Sequence, residues 1–242
     1  MELHPNISIE TLDVDGTEAS DSPAPHLIAT DRLVLHRVHA DGVEFEPLHT
    51  LFADVRDATA VFEQCGWERH ENEAETRAYL DRQTASWERA EKYEYVLETA
   101  AGGEYVGTTC IELDVDDGAC KFGLWLRKPH WGRGFGSEQT AALVHVVFEC
   151  LDAPFVVGCL SSNDRSRRTI ETIADRYNGA YYGSLTHDRR PKSRRRGGRG
   201  GSPRVGHHSR WVRRRRSWPR YARPRYRIRG SRLLRGTFES VG

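Results

Sequence analysis

A single mixed α/β domain over residues 27–185, set between an acidic leader (1–26) and an Arg/Gly-rich tail (186–242), is predicted by three observations. Apolar residues in the middle stretch alternate with a period of two in some segments and recur at helical spacing in others, so strands and helices interleave. The order that results is strand, helices, three strands joined by turns, helix, strand, helix, which is a mixed sheet with one crossover of the parallel kind. The third observation is the run His130-Trp131-Gly132-Arg133-Gly134-Phe135-Gly136-Ser137-Glu138, a glycine-spaced turn between a strand and a helix.

The elements follow in order. Residues 1–26 are polar and acidic, with Pro5, Pro23 and Pro25 and no periodicity, and are expected to be disordered. Leu33-Val34-Leu35 reads as a strand. From Ala40, the residues Val43, Phe45, Leu48, Leu51 and Phe52 recur at helical spacing. Residues 54–71 fit no single pattern. Glu73–Arg89 is rich in Glu, Ala and Arg, with Leu80 and Trp87 on one face, and predicts a helix. Tyr93–Thr99 and Tyr105–Leu113 are strands about the Ala101-Gly102-Gly103 turn. Asp116-Asp117-Gly118 signals a hairpin back into the strand Phe122–Leu126. Ser137–Glu149 and Asp164–Arg176 are helices on either side of the strand Phe155–Leu160.

The whole-chain charge of +1 conceals a division. Residues 1–185 hold 33 Asp and Glu against 16 Lys and Arg, a net −17, whereas residues 186–242 hold 20 against 2, a net +18. The first part contains only three lysines: Lys92, Lys121 and Lys128. Carboxylates spread over every surface suit a halophilic cell with molar internal salt, where a Debye length of about 3 Å makes self-repulsion weak. Five cysteines, odd in number and without CxxC spacing, read as reduced thiols in a cytoplasm. No run approaches a membrane span and no signal peptide is visible, so a cytoplasmic protein is expected.

The glycine loop is built for an anion. Glycines let the backbone approach a ligand, and the first turn of the following helix offers N–H groups at a positive dipole end. Its spacing is not GxGxxG, and no Gly-Lys-Ser/Thr is present, so a dinucleotide site and a nucleoside triphosphate P-loop are excluded. About thirty residues on, Ser161-Ser162-Asn163-Asp164-Arg165-Ser166-Arg167-Arg168 opens a second helix. Asn163 or Asp164 can cap it, and an Asn there can also hydrogen-bond a ligand amide. No His/Cys cluster has metal spacing.

Together these segments resemble the GNAT acetyltransferases, specifically the RimJ/RimL branch of ribosomal-protein N-terminal acetyltransferases. The resemblance covers roughly residues 25–183 and rests on Thr30-Asp31-Arg32-Leu33-Val34-Leu35, Glu75–Leu80, Gly123-Leu124-Trp125-Leu126 with the glycine loop, and Asn163–Arg168. Trp131 stands where many relatives have Gln or Arg. The resemblance implies acetyl-CoA as co-substrate and no metal. The amides of Arg133, Gly134, Phe135, Gly136 and Ser137 would hold its pyrophosphate. Trp125 and Leu126 would meet the pantetheine arm as a false strand, and Asn163 and Ser166 would contact the arm further along.

Acetyl transfer needs a neutral amine, a stabilised oxyanion and a proton for the departing thiolate. A backbone N–H near Leu124 to Leu126 can serve the oxyanion. Glu112 and Asp114, at the end of the strand beside Phe122–Leu126, are the carboxylates nearest the requirement for a base, with Glu112 preferred. Ser166 and Tyr177 are the candidate proton donors, and His130 reads as a loop residue. Relatives often carry a Glu where this chain has Lys121, a charge that opposes binding of a cationic amine. The expected acceptor is a primary amine, a protein N-terminus such as that of a ribosomal protein, or else a small amine such as an antibiotic or a polyamine.

The tail is a separate problem. Residues 179–185 begin another strand, after which Arg runs interleaved with Trp211, Trp218, Tyr221 and Tyr226 show no period. Arg on phosphates and aromatics on bases would suit nucleic acid, and the alternative function is a nucleic-acid-binding protein with a vestigial acetyltransferase scaffold. Condensed-ion release makes such binding weak in high salt. A different origin accounts for the composition: in a GC-rich gene, acidic codons read one frame over become Arg and Gly codons. A frameshift near residues 184–190 is therefore expected, leaving 186–242 disordered.

Overall fold

The computed structural model describes residues 8–10, 22–54, 69–114, 119–160, 162–177, 179–187 and 206–213. Chain order is β1 (Ser8–Glu10), β2 (Leu27–Ala29), β3 (Leu33–Arg37), α1 (Phe45–Ala53), α2 (Glu73–Glu88), β4 (Lys92–Thr99), β5 (Tyr105–Asp114) and β6 (Ala119–Leu126). A 3-10 turn (Lys128–His130) leads to α3 (Phe135–Glu149), β7 (Phe155–Leu160), α4 (Asp164–Arg176), β8 (Ala180–His187) and β9 (Gly206–Arg213). The strands form one sheet in the order β1-β2-β3-β4-β5-β6-β7-β9-β8. Among the described residues every neighbouring pair is antiparallel except β6 with β7. The parallel pair is the crossover expected around the glycine loop. The hairpin signal Asp116-Asp117-Gly118 and most of the ambiguous stretch after α1 lie outside the described residues.

The sheet buries both faces, each under a helix pair. On one face, Leu33, Leu35, Tyr93, Tyr95, Leu97, Val106 and Ile111 meet Ala142, Leu143 and Val146 of α3 and Ile170 and Ile173 of α4. On the other, Val96, Tyr105 and Trp125 meet Leu48, Leu51 and Phe52 of α1 and Tyr79 and Leu80 of α2. Strand residues directly opposite one another share a face and adjacent ones do not, so each β4–β6 strand serves both cores by alternation. The start of α2 is fixed locally: Asn72 accepts from the Glu75 amide at 3.1 Å while Glu75 accepts from the Glu71 amide at 2.8 Å.

Short parts of the two terminal segments join the domain. The leader supplies β1, which pairs with β2, and residues 22–26 pack into the domain, with Ala24 and His26 buried. The physical reason lies in buried aromatic tips that require partners. Trp87 Nε1 donates to Ser22 Oγ at 3.0 Å, and the Tyr95 hydroxyl donates to the Pro25 carbonyl at 2.9 Å. Within the segment expected to be disordered, Gly206–Arg213 forms β9 between β7 and β8. The exposed edge of β7 demands a ladder partner more strongly than the Arg-rich composition opposes one.

Four thiols lie among the described residues and none is in a disulfide; Cys110, Cys120 and Cys159 are buried. Burial pushes Cys110 and Cys120 up to about 12 and Cys150 up to about 11. Thiols raised in this way are poor nucleophiles.

Candidate active site

The site begins where a ladder stops. β6 and β7 pair only at Cys120 with Phe155 and Lys121 with Val156, although both strands continue beyond. Past that point the two strands part, and the helices that follow them, α3 and α4, both start at the open end. Backbone direction on β6 alternates. Cys120 donates to Pro154 O on the β7 side, and Arg127 donates to Val106 O on the β5 side. The amides and carbonyls turned toward the gap are thus those of Phe122, Leu124 and Leu126. The Trp125 backbone, which the sequence reading placed there, is turned to Thr108 of β5, and its indole is buried against Phe52 at 5.8 Å.

The glycine loop closes the open end. Gly132 (φ 74°) and Gly134 (φ 86°) occupy the left-handed region, and Gly134 is the N-cap of α3. Only glycine adopts this without strain. Trp131 Nε1 donates to Leu126 O at 2.7 Å, pinning the loop to the end of β6. Ser137 and Glu138 both donate to Gly134 O, so the candidate ligand donors in the loop are the amides of 133 to 136. A side chain at Gly136 would put its Cβ 3.5 Å from Leu124 and 3.9 Å from Thr169, in the mouth between β6 and α4.

Buried side chains hold this geometry. Gln139 accepts from Thr109 Oγ1 at 2.7 Å and donates to Gly136 O at 3.1 Å, locking α3 onto β5. Glu138 accepts from the Arg32 amide (2.8 Å), Arg32 Nε (2.7 Å) and Thr30 Oγ1 (2.7 Å), while Arg32 Nη1 donates to Arg133 O at 2.7 Å. Arg32 is half exposed, so the ion pair itself adds little, and the weight falls on the Thr30 and backbone donors. Glu138→Ala is expected to cost about 1–3 kcal/mol in urea unfolding, the loss of bonded partners for these donors. A change within error of zero would show the clamp to be idle. Sequence patterning did not reveal Gln139 or the Glu138 clamp, because both depend on contacts with distant strands.

The electrostatics of the open end oppose those of the rest of the domain. Arg127, Lys128 and Arg133 flank the loop and Arg165, Arg167 and Arg168 open α4, in a domain (residues 27–185) with 16 basic residues against 27 acidic. Arg32 and Arg133 lie 5.1 and 5.0 Å from the Phe135 ring, and Arg165 lies over Trp131 at 5.0 Å, spanning the two helix starts. Asn163 caps α4 by accepting from the Ser166 amide at 3.1 Å. A ligand would therefore be met by its amide nitrogen.

The candidate acid and base residues fall in different surroundings. Glu112 is exposed, and its cross-strand neighbours are Lys92 and Lys121. Tyr177 is buried at the C-cap of α4, and burial raises its phenol. Ser166 is partly buried in the first turn of α4, near the gap. His130 is buried, 3.4 Å from Glu104, and stacks toward Phe135. One carboxylate was missed. Glu94 on β4 is only 5 % exposed and lies on the sheet face under α1 and α2. No group of three metal-ligating side chains occurs among the described residues.

Residues 32–173 match the family model described as an acetyltransferase (GNAT) domain. The chain belongs to the GNAT acetyltransferase family. No curated protein matches it in sequence. Among solved structures, it is similar to a RimL ribosomal L7/L12 α-N-protein acetyltransferase (18 % identity, TM-score 0.57, 76 % of this chain and 91 % of that one). It is also similar to a putative ribosomal-protein-serine acetyltransferase from Vibrio cholerae (21 %, 0.54, 76 % and 95 %). A third is spermidine N-acetyltransferase from Vibrio cholerae, solved with CoA and spermine (14 %, 0.54, 74 % and 94 %). At these identities the likeness is one of fold. The glycine loop, the parted strands and the Asn163-capped start of α4 fall within the matched residues of this GNAT domain.

Proposed function

We propose that this GNAT domain transfers the acetyl group of acetyl-CoA to a primary amine, the α-amine of a protein N-terminus. The observation that carries the reading is the short β6·β7 ladder opening onto a glycine-started helix ringed by cations. The amides of Arg133 to Gly136, at the positive end of α3, receive the pyrophosphate. β6 meets the pantetheine arm at Phe122, Leu124 and Leu126, with Asn163 and Ser166 on the opposite wall. The thioester carbonyl lies near the Leu124 amide, which stabilises the oxyanion as the amine attacks. The C–N bond forms, the C–S bond breaks, and the proton that the nitrogen loses in becoming an amide balances the one that the thiolate takes up, with Ser166 in the first turn of α4 as its proposed carrier, while Tyr177 caps the far end of that helix.

The RimL and serine acetyltransferase neighbours support a protein N-terminus, and the spermidine enzyme supports a small amine. Titration calorimetry with acetyl-CoA, followed by thiol release with a serine-initiated hexapeptide and with spermidine, tests both halves. No heat of binding would sink the cofactor assignment, and turnover of spermidine alone would move the acceptor to polyamines. The nucleic-acid reading of the tail is weakened by β9, because part of the Arg-rich segment belongs to the sheet. The frameshift reading is settled by coding DNA across residues 175–242, where an acidic neighbouring frame would support it.

No helix among the described residues is long and apolar enough to cross a membrane. The cytoplasm of a halophile is the proposed compartment, on composition. Raising KCl from about 0.1 to 2 M shortens the Debye length to roughly 2–3 Å and relieves carboxylate repulsion. The melting temperature should then rise by about 10 °C or more, a gain of a few kcal/mol. A flat or falling melting temperature in differential scanning fluorimetry contradicts salt adaptation.

A further inference from the structure

The two strands that part at the site each carry a glycine at the same level. β6 and β7 run parallel and pair at Cys120 with Phe155 and at Lys121 with Val156. Two residues past the last pair stand Gly123 and Gly158. Side chains alternate between the faces of a sheet. Cys120, Phe122 and Leu124 of β6, like Phe155, Val157 and Cys159 of β7, pack into the core under α3 and α4. Gly123 and Gly158 therefore belong to the opposite face, the face of Trp125, which lies under α1 and α2.

That face is open beside the gap. The core under α1 and α2 reaches Trp125 of β6 and includes no residue of β7 among those described. Gly158 is exposed, although Val157 and Cys159 on either side of it are buried. On β6 no side chain rises from this face between Lys121 and Trp125, a stretch of about 13 Å. Gly123 has a local reason to be glycine, because a Cβ there would lie 2.8 Å from Cys110 Sγ. Gly158 is not in the left-handed region, so its backbone does not demand glycine. A glycine inside a strand weakens it and marks a place where a ligand or another backbone comes close. The exposed glycine beside the gap is thus explained by what approaches it.

We propose that Gly123 and Gly158 form the port through which the acceptor amine reaches the thioester, with Gly158 the specificity-determining residue that admits an amine on a substituted carbon. This rests on the amine acetyltransferase reading above. α3 and α4 close the other face, so a nucleophile attacking a thioester held beside Leu124 comes from this one. The carbon bearing the nitrogen then lies over the two glycines. The first residue of a protein carries both a side chain and a peptide carbonyl on that carbon. It needs the volume that two strand side chains would otherwise fill. The substrate class is a peptide whose first residue has a side chain.

The test uses the full chain with acetyl-CoA, spermidine, and two hexapeptides that differ only in their first residue, serine or glycine. Gly158→Ala should lower kcat/KM for the serine-initiated peptide about tenfold or more, the effect of one methyl group in a fitted pocket. For the glycine-initiated peptide the loss should stay under about threefold. Gly158→Val should deepen the loss for the serine-initiated peptide. Neither substitution should move the acetyl-CoA Kd more than about twofold. The melting temperature should hold or rise, because glycine is the poorer strand residue. Equal effects of Gly158→Ala on the two peptides, or an acetyl-CoA Kd that weakens along with the rate, overturn the port alone. If Gly158→Val does not fold, Gly158→Ala decides. Turnover of spermidine alone, or acetyl-CoA binding without turnover of any amine, overturns the acceptor reading and the port together.

Discussion

Gly136→Val is expected to weaken acetyl-CoA binding at least tenfold, about 1.4 kcal/mol, while leaving the domain folded. Gly136 is in the first turn of α3 with an ordinary helical backbone, so valine meets no conformational strain there. Its Cβ would have room, at 3.5 Å from Leu124 and 3.9 Å from Thr169, but its methyl groups would extend into the mouth between β6 and α4. That mouth is where the two strands have parted and where the arm of the co-substrate must enter. Titration calorimetry reads the affinity, and the melting temperature controls for folding. Undiminished affinity in a folded variant would place acetyl-CoA elsewhere and remove the basis of the functional proposal. Gly134 is the less informative position. It combines φ 86° with a Cβ approach of 3.0 Å to Arg32, so any side chain there damages the loop and the Arg32–Glu138 clamp together.

Deleting residues 188–242 is expected to lower the melting temperature by about 10 °C or more, or to make the chain insoluble. β9 pairs with six residues of β7 and seven of β8. Among the described residues β9 is the strand that joins β8 to the sheet, so removing it leaves β8 without its ladder and uncovers an edge of β7. At about 1 kcal/mol net per hydrogen bond the loss amounts to several kcal/mol, comparable with the whole stability of an ordinary domain. Thermal unfolding and analytical ultracentrifugation measure the outcome. A truncated chain melting within about 3 °C of the intact one, a difference near 1 kcal/mol, would mean that residues 206–213 contribute no strand. That result is also what an out-of-frame tail predicts, so the experiment bears on the origin of the Arg-rich text as well as on the fold.

Local features were legible in the sequence because their causes are local. α2, β4, β5, β7 and α4 fall within a residue of the predicted spans, since periodicity and turn chemistry within each segment determine them. The glycine loop and the Asn163 cap were readable for the same reason: a left-handed N-cap and a side-chain cap are requirements of a few adjacent residues. Trp125 pairs with Thr108 of β5, so the β6 residues turned toward the gap are Phe122, Leu124 and Leu126. Which way a strand residue turns its amide depends on the partner strand, and only the β6 ladders reveal it.

The sequence by itself determined the family, the loop and the two helix starts, all of which are written in contiguous residues. The tertiary structure decided which carboxylate among the described residues is buried, because burial of Glu94 follows from α1 and α2 roofing one face of β4. It decided equally that Gly206–Arg213 becomes a strand. A segment with little strand signal of its own pairs when two neighbouring ladders supply the hydrogen bonds that its composition does not predict.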